Sequence, residues 1–177
     1  MNTNFTLLYV EDDKVVQENF TAIFQNYFDN IITTDDGNKA LELYENHNID
    51  VAILDISIHG VNGLSLAAKI REHDQEILIL MVSAYSDKEK LLQAINLNLL
   101  GYLVKPVKTK ELKEKLNLIQ NKLLKRNMLT LSSNYTWNIN THQLIYYNKV
   151  INLSKNETKT IQILIEHKNN FLNSCDI

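Results

Sequence analysis

The sequence predicts a doubly wound α/β fold built on a five-stranded parallel sheet, followed by a small C-terminal α+β segment. Three observations carry this expectation. Short apolar runs alternate with amphipathic stretches of helical period, the βαβ grammar of a parallel sheet. The run Asp50-Val51-Ala52-Ile53-Leu54-Asp55 is apolar between two carboxylates and is followed by turn residues through Gly63. It reads as a strand buried on both faces whose end opens into a loop. Past Arg126 the pattern changes to short strands punctuated by Ser, Asn, Thr and Lys.

Taken in order, residues 5–10 form an apolar strand that ends in Glu11-Asp12-Asp13. Val15, Val16, Phe20, Ile23, Phe24 and Tyr27 then recur at helical spacing, giving an amphipathic helix. Residues 30–34 are β-rich, Asp36-Gly37 is a turn and residues 38–46 are helical. After the Asp55 strand, residues 64–72 are helical, 76–83 form a nearly all-apolar strand, and 87–98 form a helix with Asp87 as its cap. Residues 101–104 make a fifth strand, stopped by Lys105-Pro106, and residues 109–126 a long Lys- and Leu-rich helix. Four short strands follow at 128–131, 135–139, 144–147 and 150–153. Ser154-Lys155-Asn156-Glu157 is a capping box that opens a last helix through about His167.

Composition bounds the function. The chain has 177 residues, 45% of them hydrophobic, enough for a real core. Its net charge of −3 gives no global basic field for nucleic acid, so any DNA contact has to be local. A single cysteine, Cys175, excludes an intrachain disulfide and suits a reducing compartment. No stretch approaches the roughly 20 apolar residues needed to span a bilayer, and the first ten residues lack a signal-peptide pattern. The expectation is a cytoplasmic protein with no membrane partner.

The chemistry gathers where strands end, the place where open α/β sheets bind ligands. Glu11 and Asp12 end the first strand, Asp55 the third and Ser83 the fourth, while Lys105 follows the fifth. Converging carboxylates repel one another unless a cation intervenes, and hard oxygen ligands at this density suit Mg²⁺. A metal site beside a nucleophilic carboxylate, a hydroxyl and a lysine is equipped for phosphoryl transfer.

Glu11-Asp12-Asp13, Asp55 with Gly63 after it, Ser83-Ala84 and Tyr102-Leu103-Val104-Lys105-Pro106 together resemble the receiver domain of two-component response regulators. The resemblance covers roughly residues 4–125 and implies a flavodoxin- and CheY-like sheet. It implies that Asp55 is the phosphoacceptor, taking a phosphoryl group from a phosphohistidine on a sensor histidine kinase. Mg²⁺ would be held by Glu11, Asp12, Asp55 and the Ser57 backbone carbonyl, with Asp13 a secondary member. Lys105 and Ser83 would hold the phosphoryl oxygens, and Ser83 with Tyr102 would form the switch pair. Lys105-Pro106 would be a cis peptide. Such a domain accepts and slowly loses its own phosphoryl group, and is a switch more than an enzyme with turnover.

Some positions depart from that pattern. His59 stands where proline is usual, Leu99-Leu100-Gly101 replace a commonly acidic pair, and Asn117 stands where arginine is frequent. The homodimer that the family forms through its fourth helix, fifth strand and fifth helix would therefore have to be apolar here, through Leu97, Leu99 and Leu100.

The C-terminal part is similar to the beginning of the winged-helix DNA-binding domain of OmpR/PhoB-type regulators. The resemblance rests on Tyr135-Thr136-Trp137-Asn138, the hairpin of residues 144–153 and Leu153-Ser154-Lys155-Asn156-Glu157. The expected organisation is a receiver at 1–125, a linker at 126–129, and the N-terminal part of a winged helix at 130–177. The recognition helix and wing of that fold come later in its sequence. The expectation is thus an incomplete effector that binds promoter DNA only when complete.

Other readings stand beside these. Glu11-Asp12-Asp13 also reads as a helix cap, Asp55 as a turn residue, and Trp137 with Tyr146 and Tyr147 as packing for a small sheet. A second class is a Mg²⁺-dependent phosphatase of the haloacid-dehalogenase type. That family places a second Asp two residues after its nucleophile, and here the residue is Ser57. A third reading is a receiver that acts through protein contacts alone.

Overall fold

The structure, a computed structural model, describes residues 5–84 and 96–167. The chain divides into two compact units, residues 1–121 and 122–177.

The first unit alternates strand and helix: β1 (Thr6–Val10), α1 (Lys14–Phe24), β2 (Asn30–Thr34), α2 (Gly37–Asn46), β3 (Val51–Asp55), α3 (Gly63–His73), β4 (Leu78–Ser83), β5 (Gly101–Val104) and α4 (Thr109–Arg126). The strands form one parallel sheet in the order β2-β1-β3-β4-β5. This is the doubly wound five-stranded sheet that the sequence predicts. The order reverses between β1 and β3, and in such sheets the crevice at the reversal is where ligands bind. Of the helix expected over 87–98, residues 87–95 with the cap Asp87 lie outside the described residues, as does Cys175, and residues 96–98 form a turn.

Side chains alternate across a strand, so each strand feeds two cores. Leu8, Val10, Ala52, Leu54, Ile79 and Met81 pack with Leu66, Ala67 and Ile70 of α3 on one face. On the other face Tyr9 meets Phe24 of α1 edge-on, with ring centroids 5.0 Å apart. The central strands β3 and β4 are buried throughout, which is why they read as unbroken apolar runs.

Several boundaries differ from the sequence reading for local reasons. The apolar period reaches Tyr27, but α1 ends at Phe24 because the Asn26 side-chain amide takes the carbonyls of Ala22 and Ile23. Strand β4 begins at Leu78 and not at residue 76, because the Asp74 carboxylate accepts the amides of Glu76 and Ile77.

The second unit contains an antiparallel sheet, β6 (Met128–Thr130), β7 (Tyr135–Asn138), β8 (Gln143–Tyr146) and β9 (Lys149–Ile151), then α5 (Lys155–Glu166). Residues 126–129, expected as a linker, instead hold the last residue of α4 and the start of β6. Trp137 is buried in this sheet at 1% exposure, and Ser154 and Glu157 close the capping box of α5. Among the described residues no helix is long and apolar enough to cross a membrane.

Candidate functional site

Strand register assembles the site. Val10 pairs with Leu54 and Asp55 with Val82, so Glu11 and Asp55 emerge side by side from β1 and β3. Ser83 pairs with Val104, and the Lys105 amide donates to the Ser83 carbonyl at 2.8 Å. That places Lys105 over the ends of strands from which it is distant in sequence. Its Nζ donates to Glu11 Oε1 at 2.6 Å, to Glu11 Oε2 at 2.7 Å and to Asp55 Oδ2 at 2.7 Å. The other Asp55 oxygen, Oδ1, accepts the Ser57 amide at 3.1 Å. The Lys105–Pro106 peptide is cis.

Both carboxylates are removed from water, Glu11 wholly and Asp55 to 3% exposure. Burial pushes Glu11 above the usual carboxylate range, although the hydrogen bond and charge of Lys105 pull it back. For Lys105 burial acts downward, but the hydrogen bonds to Asp55 and Glu11 outweigh it and hold the ammonium above the ordinary lysine range. The site therefore keeps one strong cation against two acids.

Sequence reasoning missed Tyr9. Its hydroxyl donates to Glu11 Oε2 at 3.2 Å from inside the core, and burial followed by the Glu11 charge holds the phenol far above its ordinary pKa. The signal was available: residues two apart on a strand point to the same face, so a tyrosine two before a buried acid reaches it. Gln17 was missed as well. Its side-chain amide donates to the carbonyls of Glu11 and Thr34, holding the ends of β1 and β2 together.

Glu11, Asp12 and Asp55 each present a carboxylate oxygen such that all three lie within 4.8 Å of one another. A trio of hard oxygen donors at this spacing fits a divalent cation of the Mg²⁺ type. Asp13 stands apart: its carboxylate caps α1, accepting the amides of Val15 and Val16 at 2.9 and 3.1 Å. Ser83 is fully buried, and Tyr102 is half-buried with its ring against the core. Leu97 and Leu99, two of the three residues expected to form an apolar dimer face, are half-buried and pack on that same core.

Two glycines shape the loops around Asp55. A Cβ on Gly63 would lie 2.0 Å from the Asp55 carbonyl oxygen, so only glycine lets α3 start this close to the strand end. A Cβ on Gly37 would lie 1.9 Å from the Val61 carbonyl, and the Gly37 amide donates to the His59 carbonyl at 2.9 Å. The loop after Asp55 is thus strapped to the start of α2, with His59 paired to Asp36 in an isolated parallel bridge.

Residues 7–117 match the family described as "Response regulator receiver domain". A cyclic di-GMP phosphodiesterase of Thermotoga maritima is 31% identical over 63% of this chain and 30% of its own length. The probable transcriptional regulator ycf27 of Guillardia theta is 28% identical over 100% of this chain and 72% of its own. Among solved structures, the CheX-CheY-BeF3-Mg²⁺ complex of Borrelia burgdorferi matches with a TM-score of 0.60 and 27% identity, over 65% of this chain and 88% of that one. Against several curated relatives the chain spans less than half of their length, from 30% to 49%. With the receiver family matched from β1 into α4 and the acids and lysine gathered at the carboxyl ends of the strands, the chain belongs to the response regulator receiver domain family.

Proposed function

We propose that the chain accepts a phosphoryl group on Asp55 from the phosphohistidine of a sensor histidine kinase and passes the signal on as a change of surface. The observation that carries this reading is Asp55 itself, a strand-end carboxylate held by Lys105 on one oxygen and by the Ser57 amide on the other. An Asp55 oxygen forms the new bond to phosphorus as the P–N bond to histidine breaks, its electron pair leaving with the imidazole. In this reading Lys105, already on an Asp55 oxygen, neutralises phosphoryl oxygens and the hydroxyl of Ser83, at the end of β4, donates to one of them. Glu11, Asp12, Asp55 and the Ser57 carbonyl would hold Mg²⁺, which when bound offsets the negative charge that otherwise builds up between the acids and the donor phosphate. The magnesium and beryllofluoride in the Borrelia complex support this assignment.

The Ser83 hydroxyl moves toward the phosphate in this reading, and the Tyr102 ring follows inward and alters the surface around β5. The domain is a switch with self-limited phosphoryl chemistry and no turnover of an external substrate, and it works in the cytoplasm beside its kinase.

For the output, we favour transcription regulation through residues 130–177 as the first part of a winged helix. The alignment of the whole of this chain with 72% of ycf27 supports it, as do the buried Trp137 and the capping box of α5. Exposure to a small phosphodonor such as acetyl phosphate with Mg²⁺, followed by intact-mass measurement, tests the receiver chemistry: one phosphoryl group is expected, absent after chelation. Binding of the phosphorylated native gene product to its own upstream DNA tests the output. A product that is phosphorylated but leaves that DNA unbound would favour signalling by protein contact.

A further inference from the structure

Arg71 lies near the C-terminal end of α3, eight residues beyond Gly63 and so about 12 Å along the helix from the Asp55 loop. It is only 7% exposed. A guanidinium stays charged and carries five donors, so it is buried at tolerable cost only where those donors are met. Here backbone carbonyls meet three of them. Nε donates to the Leu97 carbonyl at 2.8 Å and one terminal nitrogen to the Asn98 carbonyl at 3.1 Å. The other terminal nitrogen donates to the Asp74 carbonyl at 3.0 Å, at the C-cap of its own helix.

The fork thus grips two consecutive carbonyls from a turn 26 and 27 residues away. Asn98 takes the left-handed conformation there, with φ of 46°. Two residues on, the Leu100 amide donates to the Ile79 carbonyl at 2.8 Å; β5 then begins at Gly101, and Tyr102 is its second residue. Leu97, Leu99 and Tyr102 pack on the same core cluster as Leu66, Ala67 and Ile70 of α3. Arg71 therefore pins the point from which the chain enters the strand that carries the switch aromatic.

We infer that Arg71 is a positioning residue for the switch: by holding the 97–98 turn it sets the frame against which the Tyr102 ring changes place, while taking no part in the phosphoryl chemistry. This rests on the reading of Tyr102 as the switch aromatic. With the fork removed, the turn takes up several positions and the two states of Tyr102 are no longer distinct.

The test uses the full chain with labelled tyrosine, the Tyr102 ring signal assigned through Tyr102→Phe. Ring shifts are compared without ligand and with beryllofluoride plus Mg²⁺, alongside Asp55 labelling by acetyl phosphate. In Arg71→Met, labelling should stay within about twofold of wild type while the ligand-dependent Tyr102 shift falls by about half or more. Amide exchange at Leu100 and Tyr102 should rise about tenfold, with Leu8 and Ile53 unchanged. Arg71→Lys, which keeps a charged donor within reach of one carbonyl, should recover part of the shift; it also serves where Arg71→Met folds poorly. An unchanged Tyr102 response in Arg71→Met would overturn the inference, as would a parallel loss of labelling and core protection. If the wild-type Tyr102 signal ignores beryllofluoride and Mg²⁺, the switch reading fails first and the inference falls with it.

Discussion

Lys105 grips both carboxylate oxygens of Glu11, at 2.6 and 2.7 Å, across 94 residues of sequence. Glu11 is wholly buried and Asp55 nearly so, which makes Lys105 the charge that lets two acids share one end of the sheet.

Lys105→Ala should therefore leave an uncompensated buried carboxylate. Removing one partner of a buried pair costs about 3 kcal/mol, taken at the low end because Lys105 keeps some contact with water. In urea unfolding followed by circular dichroism, that loss is expected in metal-free buffer and should shrink when Mg²⁺ is added, since the carboxylates regain a cation. Mg²⁺ binding should persist while the phosphorylation-dependent response of Tyr102 is lost. Equal destabilisation with and without Mg²⁺ would contradict the role given to Lys105.

Gly63→Ala forces a methyl group against the Asp55 carbonyl, which it would approach to 2.0 Å. Overpacking against backbone costs about 1–3 kcal/mol, and here the strain falls on the acceptor residue itself. Phosphoacceptance should drop several-fold relative to Gly101→Ala, whose new methyl would meet no backbone atom but the flexible end of Lys115 at 3.1 Å and a Leu80 methyl at 3.4 Å. Equal labelling of the two variants would show that the close approach does not matter.

Glu157 supplies a pH dependence. Hydrogen bonds from the Ser154 backbone amide, then from its hydroxyl, lower the Glu157 pKa below its usual 4.5. A carboxyl whose folded pKa is depressed stabilises fully above the unfolded value and loses that contribution as pH falls through the folded value. Glu157→Ala should thus be less stable than wild type at neutral pH, and the gap should close on acidification below about 4.5. Unfolding curves read from Trp137, the one tryptophan and a residue of the second unit, measure this directly. A gap independent of pH would argue against the capping box as its source.

Much of this site was legible in the sequence because each acid, the hydroxyl and the lysine ends a strand whose apolar run is unmistakable. Buried strands such as β3 and β4 leave a continuous apolar signal that survives without any structural information. What escaped was set by contacts between distant segments. The Tyr9 hydroxyl looks like one more core residue until Glu11 is seen beside it, and Arg71 looks like the wet end of a helix until the 97–98 turn arrives over it. Asp13 shows the helix-cap reading that the sequence also allowed: one of its carboxylate oxygens accepts the amides of Val15 and Val16 at the start of α1. The end of α1 and the start of β4 were likewise decided by the side chains of Asn26 and Asp74 competing for main-chain groups, which an apolar period does not record.

The central claim is that Asp55 is the residue that carries the phosphoryl group. Borohydride reduces an aspartyl phosphate to homoserine, so the protein can be treated with acetyl phosphate and Mg²⁺, reduced, digested and mapped by mass spectrometry. Conversion at position 55 alone, absent in Asp55→Asn and absent after chelation of the metal, is the expected result. Conversion at another carboxylate, or full phosphoryl labelling of Asp55→Asn, would contradict the account.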